Sequence, residues 1–183
     1  MHTFPWPTVA AVGLLATACG GAFSPAGAVD APLGTARDLL GNPAPDFSVP
    51  LALGGRGEVS LRALRGRVVV LDFWGTFCAP CKAAFPKLES LNTKYAESGL
   101  QVVAISEDDA DDQEKIAGFA AAHGARFAIA WDRDRTIARD YKPDAMPSTF
   151  VIDRRGVVRY EHVGYRDGDE RQIEREVQEL LLR

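Results

Sequence analysis

The sequence contains few of the side chains that build metal sites or disulfide networks. Its 183 residues include three cysteines, three histidines and two methionines. Three cysteines are too few for a disulfide-stabilised small domain, and a zinc ribbon would need a second cysteine pair. His2, His123 and His162 are scattered, and none has ligand spacing relative to a cysteine pair. We therefore expect no metal site and place these histidines at the surface or at helix ends.

Positive charge is not in excess. The formal net charge is −4, so the chain lacks the basic surface that nucleic-acid-binding proteins present. Hydrophobic residues make up 46% of the chain and charged residues 25%, a composition typical of a globular protein. The length fits one domain with an N-terminal extension. Nucleic acid is not an expected partner.

The first residues have the pattern of an export leader. The apolar run Val9–Ala16 is too short for a membrane span and suits a signal-peptide core. Ala16-Thr17-Ala18-Cys19 resembles a bacterial lipoprotein cleavage site, which makes Cys19 a candidate for lipidation and a lipid anchor. Ala26-Gly27-Ala28 offers an ordinary signal-peptidase site instead, and a disordered tail on a cytosolic protein is the third alternative. We predict a leader at 1–28, a linker at 29–41 and a folded domain at 42–183.

The rest of the chain alternates between strand and helix patterns. The run 67–73 is apolar and rich in β-branched residues, as expected for a central strand that is covered on both faces. Pro86 lies inside the helical pattern at 79–97 and should kink it. The acidic cluster at 107–112 is interpreted as favourable charge at a helix N-terminus rather than as a metal site. Further strands are predicted at 44–51, 58–61, 100–106, 127–131, 148–153 and 157–163, and further helices after the acidic cluster and at 136–141 and 170–182.

Two cysteines lie where a predicted strand passes into a helix, in Cys78-Ala79-Pro80-Cys81. A helix N-terminus stabilises a thiolate at Cys78, and a spacing of one turn lets Cys81 close a disulfide with it. A disulfide that closes so short a loop stabilises a fold very little. We therefore favour a redox role for the pair over a structural one.

The order of elements around this motif resembles the thioredoxin fold over 42–183. Asp72-Phe73-Trp74 precedes the cysteines as in thioredoxin, and Pro86 matches its helix-kinking proline. Met146-Pro147-Ser148-Thr149-Phe150 matches the loop whose proline is cis in that family. The resemblance implies an α/β protein with a central mixed sheet flanked by helices, preceded here by an N-terminal hairpin. It also implies that the Met146–Pro147 loop faces the disulfide.

A narrower resemblance is to the exported, membrane-tethered oxidoreductases of the TlpA-like kind, which include cytochrome c maturation reductases. It rests on Ala44-Pro45-Asp46-Phe47, on Phe73-Trp74-Gly75-Thr76, and on an insertion-like stretch before Met146. The chain also departs from that group. Ala84 stands where many cytochrome c maturation reductases have a glutamate, Asp72 adds an acid to the strand, and Phe77 replaces the usual tryptophan.

The resemblance implies a role for each residue of the motif. Cys78 would attack a substrate disulfide and Cys81 would resolve the mixed disulfide. The Cys78–Cys81 disulfide would then be the redox-active group, and no other cofactor is expected. Asp72 would be a buried acid that shuttles a proton to and from Cys81; the alternative is a solvated residue at a strand end. The strand 100–106 lacks the lysine that thioredoxin pairs with this acid. Substrate contacts are expected from Trp74, Phe77, Pro80, Met146 and Pro147, with core packing as the alternative for the aromatic residues and Met146.

These features predict an exported thiol–disulfide oxidoreductase of the periplasm or cell envelope. Its partners would be the disulfides and thiols of envelope proteins, together with a membrane electron donor of the thiol–disulfide kind. One alternative is a peroxiredoxin-like peroxidase, which shares the 44–47 segment but needs a threonine three residues before its reactive cysteine. Thr76 lies two residues before Cys78 and five before Cys81. A non-catalytic chaperone or Cu(I)-binding module is the other alternative, although no methionine-rich or histidine-rich segment accompanies the thiols.

Overall fold

The computed structural model describes residues 39–53, 57–109 and 112–183. The predicted leader, Cys19, His2 and residues 29–38 of the predicted linker lie outside the described residues. The strands are β1 Ser48–Pro50, β2 Glu58–Ser60, β3 Val68–Trp74, β4 Leu100–Ser106, β5 Ala128–Trp131, β6 Ser148–Ile152 and β7 Val158–Val163. The helices are α1 Ala79–Tyr95, α2 Gln113–Ala122, α3 Thr136–Tyr141 and α4 Asp169–Leu181.

Five strands form the central sheet in the order β5-β4-β3-β6-β7. β3, β4 and β5 run parallel to one another, whereas β6 is antiparallel to both β3 and β7. The parallel part comes first in the chain and the antiparallel hairpin last, which confirms the predicted mixed sheet. β1 and β2 form a separate antiparallel pair, the predicted N-terminal hairpin.

β3 is the centre of the sheet because both of its faces are covered. All seven of its residues are buried, and β4 and β6 pair with it along its length. β-Branched residues fill the start of the strand, where they pack well on a pleated surface. The strand therefore gives the residues at its carboxyl end, including Asp72, a rigid position.

Two hydrophobic clusters cover the two faces of the sheet. One cluster joins α1, α2 and α4 to the face that carries Val70 and Trp74, and it includes both Cys78 and Cys81. The other joins α3 and the N-terminal hairpin to the face that carries Leu71 and Phe73. The sheet thus separates a layer that bears the cysteines from a layer that anchors the N-terminal segment.

The N-terminal segment is fixed by α3. The hydroxyl of Tyr141 donates a hydrogen bond to the carbonyl of Pro45 at 2.8 Å. Phe47 also meets the Tyr141 ring edge-on at 6.3 Å. No helix within the described part of the chain is both long and apolar enough to cross a lipid bilayer.

The histidines fall in two different environments. His123 lies at the end of α2, as predicted, where its ring stacks on Phe119 at 4.2 Å. The surface or helix-end assignment is wrong for His162. That residue lies in β7 with its side chain only 13% exposed, and its Nε2 is 2.6 Å from a carboxylate oxygen of Glu176. Packing of α4 against β7 buries this pair.

Candidate active site

Cys78 and Cys81 form a disulfide at the start of α1, with their Cα atoms 5.4 Å apart. Cys78 is the N-cap residue of the helix, and the backbone N–H of Cys81 donates a hydrogen bond to its Sγ at 3.2 Å. Ala79 and Pro80 occupy the first helical positions, where a proline costs no hydrogen bond. Sulfur at this position can carry negative charge because a backbone donor and the positive end of the helix dipole face it.

The two cysteines differ in accessibility. Cys78 is 5% exposed, whereas Cys81 is completely buried. The neighbouring Phe77 is 67% exposed, and Pro80 is also exposed. Cys78 therefore keeps a small exposed fraction next to the exposed side chain of Phe77, whereas Cys81 has none.

A carboxylate holds the loop that leads into the cysteines. The backbone N–H of Thr76 donates to Asp108, and the Thr76 hydroxyl also donates to it. The interpretation of the 107–112 cluster as charge at a helix N-terminus is confirmed for Asp112, the N-cap residue of α2, whereas Asp108 binds the loop before the cysteines instead. At Gly75, a side chain would meet the Phe77 ring at 2.6 Å, so Phe77 can lie over this position only if residue 75 is glycine.

Asp72 is fully buried near the carboxyl end of β3, on the face covered by α1 and α4. Its Oδ1 accepts a hydrogen bond from the Thr149 hydroxyl at 2.7 Å, while Oδ2 has no partner in the described part of the chain. Burial raises the pKa of Asp72 to about 7, although the Thr149 hydrogen bond partly opposes this. The alternative of a solvated carboxyl is therefore wrong. A proton-transfer role with Cys81 stays a prediction.

The Met146–Pro147 peptide bond is cis, as expected from the resemblance. Ser148, the next residue, pairs with Phe73 of β3, so this loop lies at the same end of the sheet as the cysteines. Met146 packs against the hydrophobic cluster that contains both cysteines. The loop is held by a hydrogen bond from the Gly164 N–H to the Pro147 carbonyl at 2.7 Å.

The residues predicted to contact substrate divide into two groups. Phe77, Pro80 and the half-buried Met146 are accessible, whereas Pro147 is buried. The substrate contacts of these four residues stay predictions. Trp74 is 0% exposed and packs between Phe85 and Phe119, with ring centroids 4.5 and 4.8 Å away. Trp74 is therefore a core residue beneath the site and does not contact substrate. The substrate-contact prediction for it is wrong because α1 and α2 close over its ring.

Sequence reasoning missed two residues of the site, Asp108 and Thr149. Asp108 follows β4 and binds Thr76, which lies just beyond β3. Thr149 lies at the start of β6 and binds Asp72 of β3. The acidic cluster at 107–112 drew attention to Asp108, but the sequence does not indicate that Thr76 is its partner. Among the described residues, no three histidine, cysteine, aspartate or glutamate side chains are placed to hold a metal ion.

Comparison with known proteins agrees with this geometry. The chain is 37% identical to the thioredoxin-like protein YneN of Bacillus subtilis over 125 residues, which is 68% of this chain and 71% of the relative. It is 34% identical to the thiol-disulfide oxidoreductase ResA of Bacillus anthracis over 125 residues, 68% of this chain and 70% of that protein.

A solved structure shows the same fold. The crystal structure of a candidate thiol:disulfide interchange protein DsbE from Chlorobium tepidum superposes with a TM-score of 0.72 at 37% identity. The match covers 78% of this chain and 97% of that one, which confirms the thioredoxin-like fold. The profile of the AhpC/TSA family matches residues 40–161, and the chain belongs to that family.

Proposed function

We propose that this protein is an exported thiol–disulfide oxidoreductase that reduces disulfides of envelope proteins through Cys78 and Cys81. The observation that carries the proposal is the arrangement of the pair. Cys78 caps α1, keeps a small exposed fraction and accepts a backbone hydrogen bond, while the fully buried Cys81 lies within disulfide distance of it. The similarity to ResA and YneN supports the same reaction class.

The reaction is two successive thiol–disulfide exchanges. The Cys78 thiolate attacks one sulfur of the substrate disulfide, so that a mixed disulfide forms and the other substrate sulfur leaves as a thiolate. Cys81 then loses its proton and attacks the Cys78 sulfur, which releases the second substrate thiolate and forms the Cys78–Cys81 disulfide. Two electrons pass from the enzyme dithiol to the substrate. Asp72 is proposed as the group that takes the Cys81 proton, because a carboxyl with a pKa near 7 can both accept and return it at neutral pH.

The cellular setting is proposed from the sequence. The apolar run at 9–16 supports export with a leader at 1–28, and Cys19 is the proposed attachment point for lipid. After each cycle the disulfide must be reduced again, so a membrane-bound thiol donor is the proposed partner. The mass of the protein recovered from cell envelopes tests the leader, because cleavage before Cys19 with lipid attachment and cleavage after Ala28 give different masses.

The proposed reaction is tested by the reduction potential of the pair. The purified protein is equilibrated in dithiothreitol and glutathione buffers, and the oxidised fraction is measured by alkylation of free thiols. We expect a potential near or below roughly −250 mV, as in reductants of the thioredoxin kind. A value near or above roughly −150 mV would reverse the proposed direction of electron flow.

Turnover provides the second readout. The reduced protein should reduce the disulfides of insulin, and the Cys78→Ser/Cys81→Ser double variant is the matched control. Hydrogen peroxide is supplied in a parallel assay. Rapid peroxide consumption without insulin reduction would favour the peroxidase alternative instead.

A further inference from the structure

Among the described residues, the buried carboxyl of Asp72 has one hydrogen-bond partner, the hydroxyl of Thr149. Its Oδ1 lies 2.7 Å from the Thr149 hydroxyl, and its Oδ2 has no hydrogen-bond partner among the described residues. Asp72 itself is 0% exposed. A carboxyl that changes its protonation state during a reaction cycle must exchange that proton with solvent. Thr149 is the hydrogen-bonded group next to the carboxyl on such a route.

A cavity reaches Thr149 from the surface. It lies between α1 and α4, has a volume of about 200 Å³, and counts Thr149 among its lining residues. Ala84 and Leu88 of α1 and Ile173 of α4 form apolar parts of its wall. The exposed Lys87 also lines it, so the cavity communicates with bulk solvent. Its volume is room for several water molecules.

We propose that the Thr149 hydroxyl relays a proton between the Asp72 carboxyl and water in the cavity between α1 and α4. The proposal rests on the proposed function, because it supplies the proton path that Cys81 chemistry needs. Threonine is suited to the task because its hydroxyl accepts one hydrogen bond while it donates another. Thr149 is a positioning and relay residue and does not touch the substrate.

During substrate reduction the relay moves one proton from Cys81 to water in the cavity. Cys81 gives its proton to the Asp72 carboxylate when its sulfur attacks Cys78. The carboxylic acid then passes this proton to the Thr149 oxygen while the Thr149 O–H proton moves to a cavity water. One proton leaves for each Cys81 thiol that is consumed, and no electrons move in the relay. The same path runs in reverse when the disulfide is reduced again.

Four titratable groups that line the cavity have pKa values moved further from neutral pH. The hydrogen bond from Lys94 lowers the pKa of Glu174, and the same contact raises the pKa of Lys94. Hydrogen bonds from backbone N–H groups lower the pKa of Glu170, while burial raises the pKa of Tyr165 to about 12. Lys87 is the remaining charged lining residue.

One further pair faces Thr149 from β7 and α4. His162 is paired with Thr149 on the neighbouring strand β7, and its Nε2 makes a hydrogen bond with the Glu176 carboxylate. The side chain of this histidine is largely buried against α4. A His162→Gln variant therefore separates a proton path through the imidazole from the path through Thr149.

The test measures protonation of Asp72 directly, without disulfide chemistry. Infrared absorption of the carboxyl C=O is followed after a rapid pH jump across pH 7 in the oxidised protein, with Asp72→Asn as the spectral blank. We expect Thr149→Val, which replaces the hydroxyl with a methyl group, to slow the change by at least roughly tenfold. Thr149→Ser keeps the hydroxyl and should restore the rate. Ser90→Ala removes another hydroxyl from the cavity wall and should leave the rate unchanged.

The measured rates decide whether Thr149 relays the Asp72 proton. Equal rates in wild type and Thr149→Val would overturn the relay, as would a Thr149→Val protein whose equilibrium pKa shifts while its rate does not. Loss of the infrared change in His162→Gln would assign the signal to a path through that residue instead. Insulin reduction by the wild-type protein is measured alongside. If the wild type reduces no disulfide while the relay kinetics hold, the proposed function fails and the relay does not.

Discussion

Thr76 is fixed to Asp108 through both its backbone and its side chain. The Thr76 N–H donates to the two carboxylate oxygens at 3.0 and 3.1 Å, and its hydroxyl donates to Oδ1 at 2.5 Å. Asp108 is itself buried and accepts a hydrogen bond from the Ser106 hydroxyl at 2.7 Å. Because Thr76 lies two residues before Cys78, the end of β4 positions the active-site loop through this carboxylate.

Removal of the Asp108 carboxylate should therefore damage both stability and activity. In Asp108→Ala, the Thr76 N–H and the hydroxyls of Thr76 and Ser106 lose a charged acceptor in a buried site. We expect the free energy of unfolding to fall by about 2–3 kcal/mol. Urea denaturation and the rate of insulin reduction check this.

Asp109→Ala is the matched control for the Asp108 variant. Asp109 is the next residue and is exposed, and its ion pair with Arg135 at 2.9 Å lies at the surface. Its loss should change stability by less than about 1 kcal/mol. Equal effects of the two substitutions would mean that the contact with Thr76 does not position the loop.

Local patterns were enough to predict most of the elements that carry the site. The apolar run at 100–106 forms β4 with the predicted bounds, and the helix begins directly after Cys78. The run at 67–73 differs from β3 by one residue at each end. These features depend on side-chain period and on helix capping, which neighbouring residues determine.

Contacts between distant residues could not be predicted in the same way. Thr149 meets Asp72 across 77 positions of sequence, and Asp108 meets Thr76 across 32. The His162–Glu176 pair was missed because β7 alone reads as an alternating surface strand. Each contact depends on which strands or helices become neighbours and in which register, and no local pattern contains that information.

Glu89 is expected to hold the loop before β5 onto α1. Its carboxylate accepts hydrogen bonds from the backbone N–H groups of Arg126 and Phe127 and from the Arg126 side chain. In Glu89→Ala these donors lose their acceptor, so we expect the unfolding free energy to fall by about 2–3 kcal/mol. Thermal unfolding measures the change.

Glu97→Ala serves as the control for Glu89, since Glu97 is an exposed residue just beyond the same helix. It should leave the unfolding temperature within error of the wild type. The interpretation of Glu89 as an anchor would be wrong if both variants unfolded at the same temperature.

The two cysteines should give different products when each is replaced. Cys81→Ser keeps the Cys78 thiol, which is 5% exposed, but cannot resolve a mixed disulfide, so a covalent complex with the substrate should accumulate. Cys78→Ser leaves only a buried thiol, because Cys81 is 0% exposed, and should form no complex. Both variants should lose insulin reduction. Electrophoresis without reducing agent checks the complexes, and a complex formed by Cys78→Ser would reverse the assignment of the nucleophile.

The buried acid makes the stability of the protein depend on pH in a defined direction. In the unfolded chain the Asp72 carboxyl titrates near 3.8, whereas burial raises its pKa to about 7 in the folded protein. Well below pH 3.8 both the folded and the unfolded forms are protonated, and the carboxyl does not change the free energy of unfolding with pH. As the pH rises from about 4 to 7, only the unfolded form loses its proton, so the free energy of unfolding falls. Above pH 7 the cost is constant.

Asp72→Asn should remove this dependence. Asparagine can still accept the Thr149 hydrogen bond through its side-chain oxygen but carries no charge at any pH. The rise of the Asp72 pKa from 3.8 to about 7 corresponds to about 4 kcal/mol, so the variant should nearly match the wild type near pH 4 and exceed its stability by up to about 4 kcal/mol at pH 8. Denaturant titrations at both pH values, with Asp109→Asn as the exposed control, measure the difference. A stability gain that is the same at pH 4 and pH 8 would show that Asp72 does not titrate within this range and could not carry the Cys81 proton.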